Sequence, residues 1–96
     1  MENPDESHVT FEALLVLLGS MAAIEFGDID DPEAGGPREP NLPAAAQMIG
    51  LLEIVQQKTR GNLTEAESQR LENILYALRM RFVDLQQHGG RRIIEP

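Results

Sequence analysis

The chain has 96 residues, and its 16 acidic and 8 basic side chains give a formal net charge of −8 at pH 7. A chain of this length fits one domain. Its negative charge repels phosphate backbones and anionic lipid head groups, so we expect no nucleic acid and no membrane as partners. The sequence contains no cysteine, which excludes disulfides and thiolate metal sites and suits the reducing cytoplasm.

Residues 1–9 are polar and predict a disordered N-terminal segment. A secretory signal needs a basic start before its apolar stretch, whereas this chain has no Lys or Arg ahead of the uncharged run at residues 13–24. That run of twelve residues is also shorter than the roughly 18–20 that a membrane-spanning helix needs. We therefore expect neither export nor membrane insertion, and a cytoplasmic location.

The first predicted helix, residues 10–26, is apolar on nearly every side. Thr10 is suited to cap its start and Gly27 to end it. A helix that is apolar nearly all round is buried nearly all round, either within the chain or against a second copy. Its small residues would let another helix approach closely. The predicted oligomer interface comprises Phe11, Leu14, Leu15, Leu18, Gly19, Met21 and Ala23.

An irregular loop is predicted over residues 27–41, which contain three prolines, three glycines and many acids. Helix–helix connections usually have about two to eight residues, so this loop is long. Its length leaves two arrangements open for the first helix. The helix can pack against the rest of its own chain, or the loop can carry it to a partner chain.

Acidic residues within this loop invite a calcium-site hypothesis, carried by Asp28, Asp30, Asp31 and Glu33. An EF-hand loop needs an oxygen ligand at its fifth position and Gly at its sixth, but here these positions hold Pro32 and Glu33. The pattern therefore favours a solvated turn, and we predict no metal and no cofactor. The two histidines, His8 and His88, have no carboxylate at ligand spacing.

The second and third helices are predicted over residues 42–60 and 64–88. Asn41 or Leu42 is placed to cap the former, and Thr64 with Glu67 forms a capping box for the latter. Gly61 lies in the short link between them, which makes the pair an antiparallel hairpin. A heptad seam faces the core of the third helix, formed by Leu71, Leu75, Leu78, Phe82 and Leu85. The Gly89–Gly90 pair predicts the end of that helix, and residues 89–96 a flexible tail.

These elements predict an all-α fold, with a three-helix arrangement in which the apolar N-terminal helix joins the hairpin and dimerisation completes the domain, residues 10–88. One polar stripe on the third helix suggests chemistry: Glu72, Tyr76 and Arg79 lie at i, i+4 and i+7. Ordinary charge pairs on a solvated helix face explain it more simply. No residue pattern indicates a catalytic site.

Three blocks of the sequence together resemble a known family. They are TFEALLVLLGSMAAIEFGDI, PREPNLPAAAQMIGLLEIVQQKTRGNLT and SQRLENILYALRMRFVDL, which cover residues 10–85 in the same order. The family consists of short bacterial proteins classed only as a domain of unknown function. Gly50 departs from it, because members of the family often carry an acid there. The resemblance implies a cytosolic, all-helical protein with no established activity, and it carries over no site residues.

The function predicted from the sequence is a homo-oligomeric protein–protein interaction module, most simply a homodimer, without catalytic activity. One alternative is an enzyme that binds a small molecule or metal through the stripe of Glu72, Tyr76 and Arg79. A second alternative is an adaptor that binds a helix of another protein.

Overall fold

Three helices make up the computed structural model, which describes residues 9–30 and 39–94 and contains no strand within those ranges. They are α1, Phe11–Phe26; α2, Leu42–Lys58; and α3, Glu65–Ile94. Each helix packs against the other two. The all-α, three-helix prediction is therefore confirmed. The rest of the predicted N-terminal segment and loop, residues 1–8 and 31–38, lies outside the described residues, as do residues 95 and 96.

Local capping fixes both ends of α1. The Thr10 hydroxyl accepts a hydrogen bond from the Ala13 N–H at 3.0 Å, which satisfies one of the free donors of the first turn. At the other end, Gly27 adopts the left-handed conformation, with φ of 84°. Its N–H donates to the Ile24 carbonyl at 3.0 Å, and the next N–H, of Asp28, donates to the Ala23 carbonyl at 2.9 Å.

Side-chain caps likewise start α2 and α3. Asn41 accepts from the Ala44 N–H at 3.1 Å, so it is the cap of α2. The capping box of α3 is complete: the Glu67 N–H donates to the Thr64 hydroxyl at 3.1 Å, and the Thr64 N–H donates to the Glu67 carboxylate at 2.9 Å. Gly61 between the helices has φ of 87°, as the short hairpin link requires.

The two ends of the long loop lie close together. The Asn41 N–H donates to the Glu25 carbonyl at 2.6 Å, so the start of α2 lies beside the end of α1. α1 and α2 are therefore antiparallel neighbours, and α3, which is antiparallel to α2, runs in the same direction as α1. Of the two arrangements that the sequence leaves open, α1 adopts the one within its own chain.

Among the described residues, nine buried apolar side chains form the core, and all three helices contribute to it. Each helix supplies a stripe at spacings of three, four or seven residues, as helical periodicity requires. Leu18, Leu63, Leu78 and other half-buried residues pack around this core. Its members are Leu15, Ala22, Phe26, Ala45, Met48, Ile49, Leu52, Leu71 and Leu75.

The predicted end of α3 was wrong, because the helix continues beyond residue 88 to Ile94. Residues 89–94, predicted as part of a flexible tail, therefore have helical backbone. Glycine in a helix interior costs about 1 kcal/mol relative to alanine, which weakens a helix but does not stop it. Gly27 adopts the left-handed conformation where α1 ends, whereas Gly89 and Gly90 keep the helical one.

Candidate functional site

Large apolar side chains are exposed on all three helices. In α1 they include Leu14, Leu17 and Met21, and in α2 they are Leu51 and Ile54. Scattered exposed apolar residues are ordinary on a soluble protein, whereas a contiguous patch indicates an interaction surface. The positions of these five residues around their helices therefore decide what they form.

Leu14, Leu17 and Met21 of α1 point away from α3, whereas the exposed Val16 lies only about 60° around the helix from the side that faces α3. Gly19 marks the side of α1 that faces α3, because a Cβ atom at Gly19 would lie 3.7 Å from Cγ2 of Ile74. At about 100° per residue, Leu14, Leu17 and Met21 lie roughly 140–160° around the helix from Gly19. These three side chains thus lie on the side of α1 opposite α3.

Of the two exposed apolar residues of α2, Leu51 points away from α3 and Ile54 points to the side. Glu53 marks the side of α2 that faces α3, because its carboxylate accepts a hydrogen bond from Arg79 at 2.8 Å. Leu51 lies about 160° around the helix from Glu53, and Ile54 about 100°. Five exposed apolar side chains therefore lie on the solvent side of two antiparallel neighbours, outside the α3-facing sides of both helices. We call this side the α1/α2 face, and its residues are Leu14, Leu17, Met21, Leu51 and Ile54.

The part of α1 that contributes to the α1/α2 face carries no charge. Residues 13–24 contain no acidic or basic side chain, and Glu12 and Glu25 bracket them. Glu12 lies seven residues before Gly19 and therefore on the side of α1 that faces α3. A charged side chain normally interrupts the exposed face of a helix in a monomeric protein, so this uncharged face is unusual.

The seven residues of the predicted interface have different environments. Leu15 is fully buried in the core of its own chain, and Phe11 and Leu18 pack against that core. Gly19 lies against Ile74 of the same chain, and Ala23 is half-buried. Leu14 and Met21 are exposed and belong to the α1/α2 face. The interface itself stays a prediction.

Sequence reasoning missed three members of the α1/α2 face: Leu17, Leu51 and Ile54. In the sequence, both helices contain more apolar residues than one buried stripe needs. Leu17 lies off the main stripe of α1, and Leu51 and Ile54 lie on either side of the buried Leu52. That signal does not say which apolar residues the chain itself buries. The position of the neighbouring helix supplies that information.

The polar stripe on α3 does not converge on one cavity. Glu72 lines a cavity of about 210 Å³ at the α2–α3 turn, together with Arg60 and Ser68. Arg79 lines another of about 180 Å³ near Phe82. Tyr76 belongs to neither wall and is 67% exposed. Arg79 instead forms an ion pair with Glu53 of α2.

The acidic loop provides a structural contact at its first carboxylate. Arg81 of α3 donates to both carboxylate oxygens of Asp28, with Nε–Oδ2 at 2.9 Å and Nη2–Oδ1 at 2.5 Å. The hydrogen bond to Asp28 raises the pKa of Arg81. Nη1 of Arg81 also contacts Asp84 at 3.0 Å, and the second oxygen of Asp84 lies 3.4 Å from Nε2 of His88.

The calcium hypothesis receives no support from the residues that the structure places. Within the described ranges, no group of three or more His, Asp or Glu residues is arranged to hold a metal ion. Asp30 is exposed, whereas Asp31 and Glu33 lie outside the described ranges. His8 lies outside them as well. Among the helices that are described, none combines the length and apolar character needed to cross a membrane.

Comparison with known protein families assigns the chain to one of them. A family model described as a domain of unknown function, DUF1844, matches residues 8–84. The chain belongs to the DUF1844 family. The match includes α1, α2 and most of α3, so the α1/α2 face lies entirely within the DUF1844 domain. Comparison with curated proteins and with solved structures gives no significant match.

Proposed function

We propose that this DUF1844 domain is a homo-oligomeric protein–protein interaction module without catalytic activity, and that the α1/α2 face is its contact surface. The observation that carries the proposal is the exposure of five large apolar side chains on two neighbouring helices, together with the lack of charge in residues 13–24 of α1. Their exposed fractions range from 41% at Leu14 to 56% at Leu17. Removing such side chains from water is the main favourable contribution to protein association.

A second copy of the chain is the simplest occupant of the α1/α2 face. Closed two-fold dimers are the commonest oligomers of soluble proteins, and the same surface then serves both copies. A small domain also buries a limited share of its surface by itself, so association adds stability. The proposal places the protein in the cytoplasm, which the lack of cysteine suits.

The enzyme alternative has less support. Its stripe of Glu72, Tyr76 and Arg79 divides between two cavities, neither of which Tyr76 lines. General acid–base and ligand chemistry requires the participating groups within hydrogen-bond reach of one reacting centre. The adaptor alternative uses the same α1/α2 face and differs only in the identity of the partner.

Light scattering on a size-exclusion column tests the proposal with two matched variants. Leu17→Asp places a charge at the centre of the α1/α2 face, and we expect it to raise the dimer dissociation constant at least about tenfold. Leu17 suits this test better than Leu18, because Leu18 packs against the core of its own chain. Tyr76→Asp, on the exposed side of α3, is the control and should leave the mass unchanged.

Circular dichroism separates dissociation from unfolding, since Leu17→Asp should keep its helical signal at low concentration. A wild-type chain that stays monomeric at high micromolar concentration would contradict the homo-oligomer. That result would leave the helix of another protein as the candidate partner. Equal masses for the wild type and Leu17→Asp, both dimeric, would place the contact elsewhere on the molecule.

A further inference from the structure

Exposed acids lie at the end of the α1/α2 face where α2 starts, and an exposed lysine lies where α2 stops; Glu12, at that second end, is on the side of α1 that faces α3. At the end where α1 stops and α2 starts, Asp30 and Glu39 are exposed. Asp28 at the same end already neutralises Arg81 through two hydrogen bonds. At the other end of the face, Lys58 is exposed in the last turn of α2. Charges at the rim of an interface select orientation more than they add affinity.

On α1, Leu17 lies between Leu14 and Met21, close to the midpoint of that pair. Leu14 and Met21 lie equally far, along the chain, from a point between residues 17 and 18. A two-fold axis through this point would place Leu14 of one copy against Met21 of the other and bring the two Leu17 side chains together. A surface that matches itself in this way meets the requirement of a closed two-fold contact.

We propose that two copies pair through their α1/α2 faces with the α1 helices antiparallel, about a two-fold axis close to Leu17. This inference rests on the proposed function and specifies the partner and its orientation. Each Lys58 then lies beside Asp30 and Glu39 of the other copy. A parallel pairing would instead place Lys58 beside Lys58 and acids beside acids, and like charges facing each other across an interface oppose association.

Disulfide cross-linking tests the orientation directly, because the chain has no cysteine of its own. In the antiparallel dimer, Leu17→Cys should cross-link to itself under mild oxidation. Leu14→Cys alone should not, because seven residues of helix, or about 10 Å, separate its two copies along the axis. A disulfide requires Cα atoms about 4.4–6.8 Å apart. A mixture of Leu14→Cys and Met21→Cys should cross-link, and Tyr76→Cys should not.

Charge reversal provides an independent test of the same orientation. Lys58→Glu should weaken the dimer between about 2-fold and 30-fold, the range expected for two symmetric pairs of exposed charges. Adding Asp30→Lys to that variant should recover most of the affinity. Raising the salt concentration should weaken the wild-type dimer, because exposed charges are screened. It should therefore reduce the difference in dimer affinity between the wild type and Lys58→Glu.

The outcomes separate the orientation from the proposed function. Self-cross-linking of Leu14→Cys in preference to the Leu14→Cys and Met21→Cys mixture would overturn the antiparallel arrangement in favour of a parallel one. A second outcome is that Leu17→Asp dissociates the wild-type dimer, but Leu17→Cys does not cross-link and Lys58→Glu does not weaken it. That outcome would retain the proposed function and overturn the orientation. A monomeric wild type would overturn both.

Discussion

Neighbouring leucines of α2 have opposite environments. Leu52 is fully buried among residues of all three helices, whereas Leu51, one position before it, is 47% exposed. One residue of helix turns the side chain by about 100°, which moves it from the core to the surface. Identical side chains at adjacent positions thus serve different purposes: Leu52 stabilises the chain, and Leu51 is available to a partner.

Truncating each leucine should separate these two purposes. Leu52→Ala removes methyl groups from a packed core and should lower the free energy of unfolding by about 2–5 kcal/mol. Leu51→Ala should change it by no more than about 0.5 kcal/mol in the dissociated chain and should instead weaken association. Urea unfolding monitored by circular dichroism at low protein concentration measures the change in unfolding free energy for both variants. Equal losses would show that the core assignment of α2 is wrong.

Two glycines form a second matched pair. Gly61 has φ of 87°, a conformation that costs an L-residue roughly 1–2 kcal/mol, so Gly61→Ala should destabilise the chain by about that amount. Gly50 lies inside α2, and a Cβ atom there would meet nothing within 4 Å. Gly50→Ala should therefore stabilise by about 0.5–1 kcal/mol through helix propensity. Melting temperatures that shift in the same direction would contradict this distinction.

At the scale of whole elements, one arginine joins the end of α1 to α3. Arg81 binds both carboxylate oxygens of Asp28, a geometry that lysine cannot reproduce. This contact lies just after Gly27 ends α1 and thus fixes where the loop departs. The pair formed by Arg79 and Glu53 joins α2 to α3 through a single contact at 2.8 Å.

A double-mutant cycle should measure the contact between α1 and α3. Arg81→Gln and Asp28→Asn should show a coupling free energy of about 0.5–1 kcal/mol, small because both side chains are more than a third exposed. Arg81→Lys should recover only part of it. The corresponding cycle for Arg79 and Glu53 should give a smaller coupling. A coupling of zero for Arg81 and Asp28 would mean that packing alone positions the end of α1.

The helix ends and the hairpin could be predicted from sequence because their determinants are local. The hydroxyl of Thr64 and the carboxylate of Glu67 satisfy backbone donors within the same turn, so no knowledge of the rest of the chain is needed. The Gly89–Gly90 pair misled prediction of the end of α3 because glycine permits a stop without imposing one. The placement of α1 depends on contacts across the long loop, which no local pattern specifies.

At the scale of the whole molecule, α3 is much longer than its neighbours. Its 30 residues span about 45 Å, against about 25 Å for each of the other helices. The radius of gyration, 15.8 Å, exceeds the roughly 13 Å typical of a compact domain of 100 residues. The core is correspondingly confined to one part of the long axis, and the apolar excess of α1 and α2 stays at the surface.

The sequence predicts the contribution of α1 to the α1/α2 face but not that of α2. The sequence predicts that α1 offers an interface, since twelve uncharged residues cannot all face the interior of a small domain. It does not distinguish Leu15, buried against the chain itself, from Leu14, exposed beside it. It also conceals the contribution of α2, because Leu51 and Ile54 join the face only when α2 lies against α1.

The mass of the wild-type chain in solution tests the central claim most directly. Sedimentation equilibrium over a range from about 1 to 200 micromolar should give an average mass that rises with concentration toward twice the 10.7 kDa of the chain. Reversible pairing through the α1/α2 face predicts this rise, and Leu17→Asp should suppress it. A mass of 10.7 kDa at every concentration would contradict the claim that two copies cover each other's apolar face.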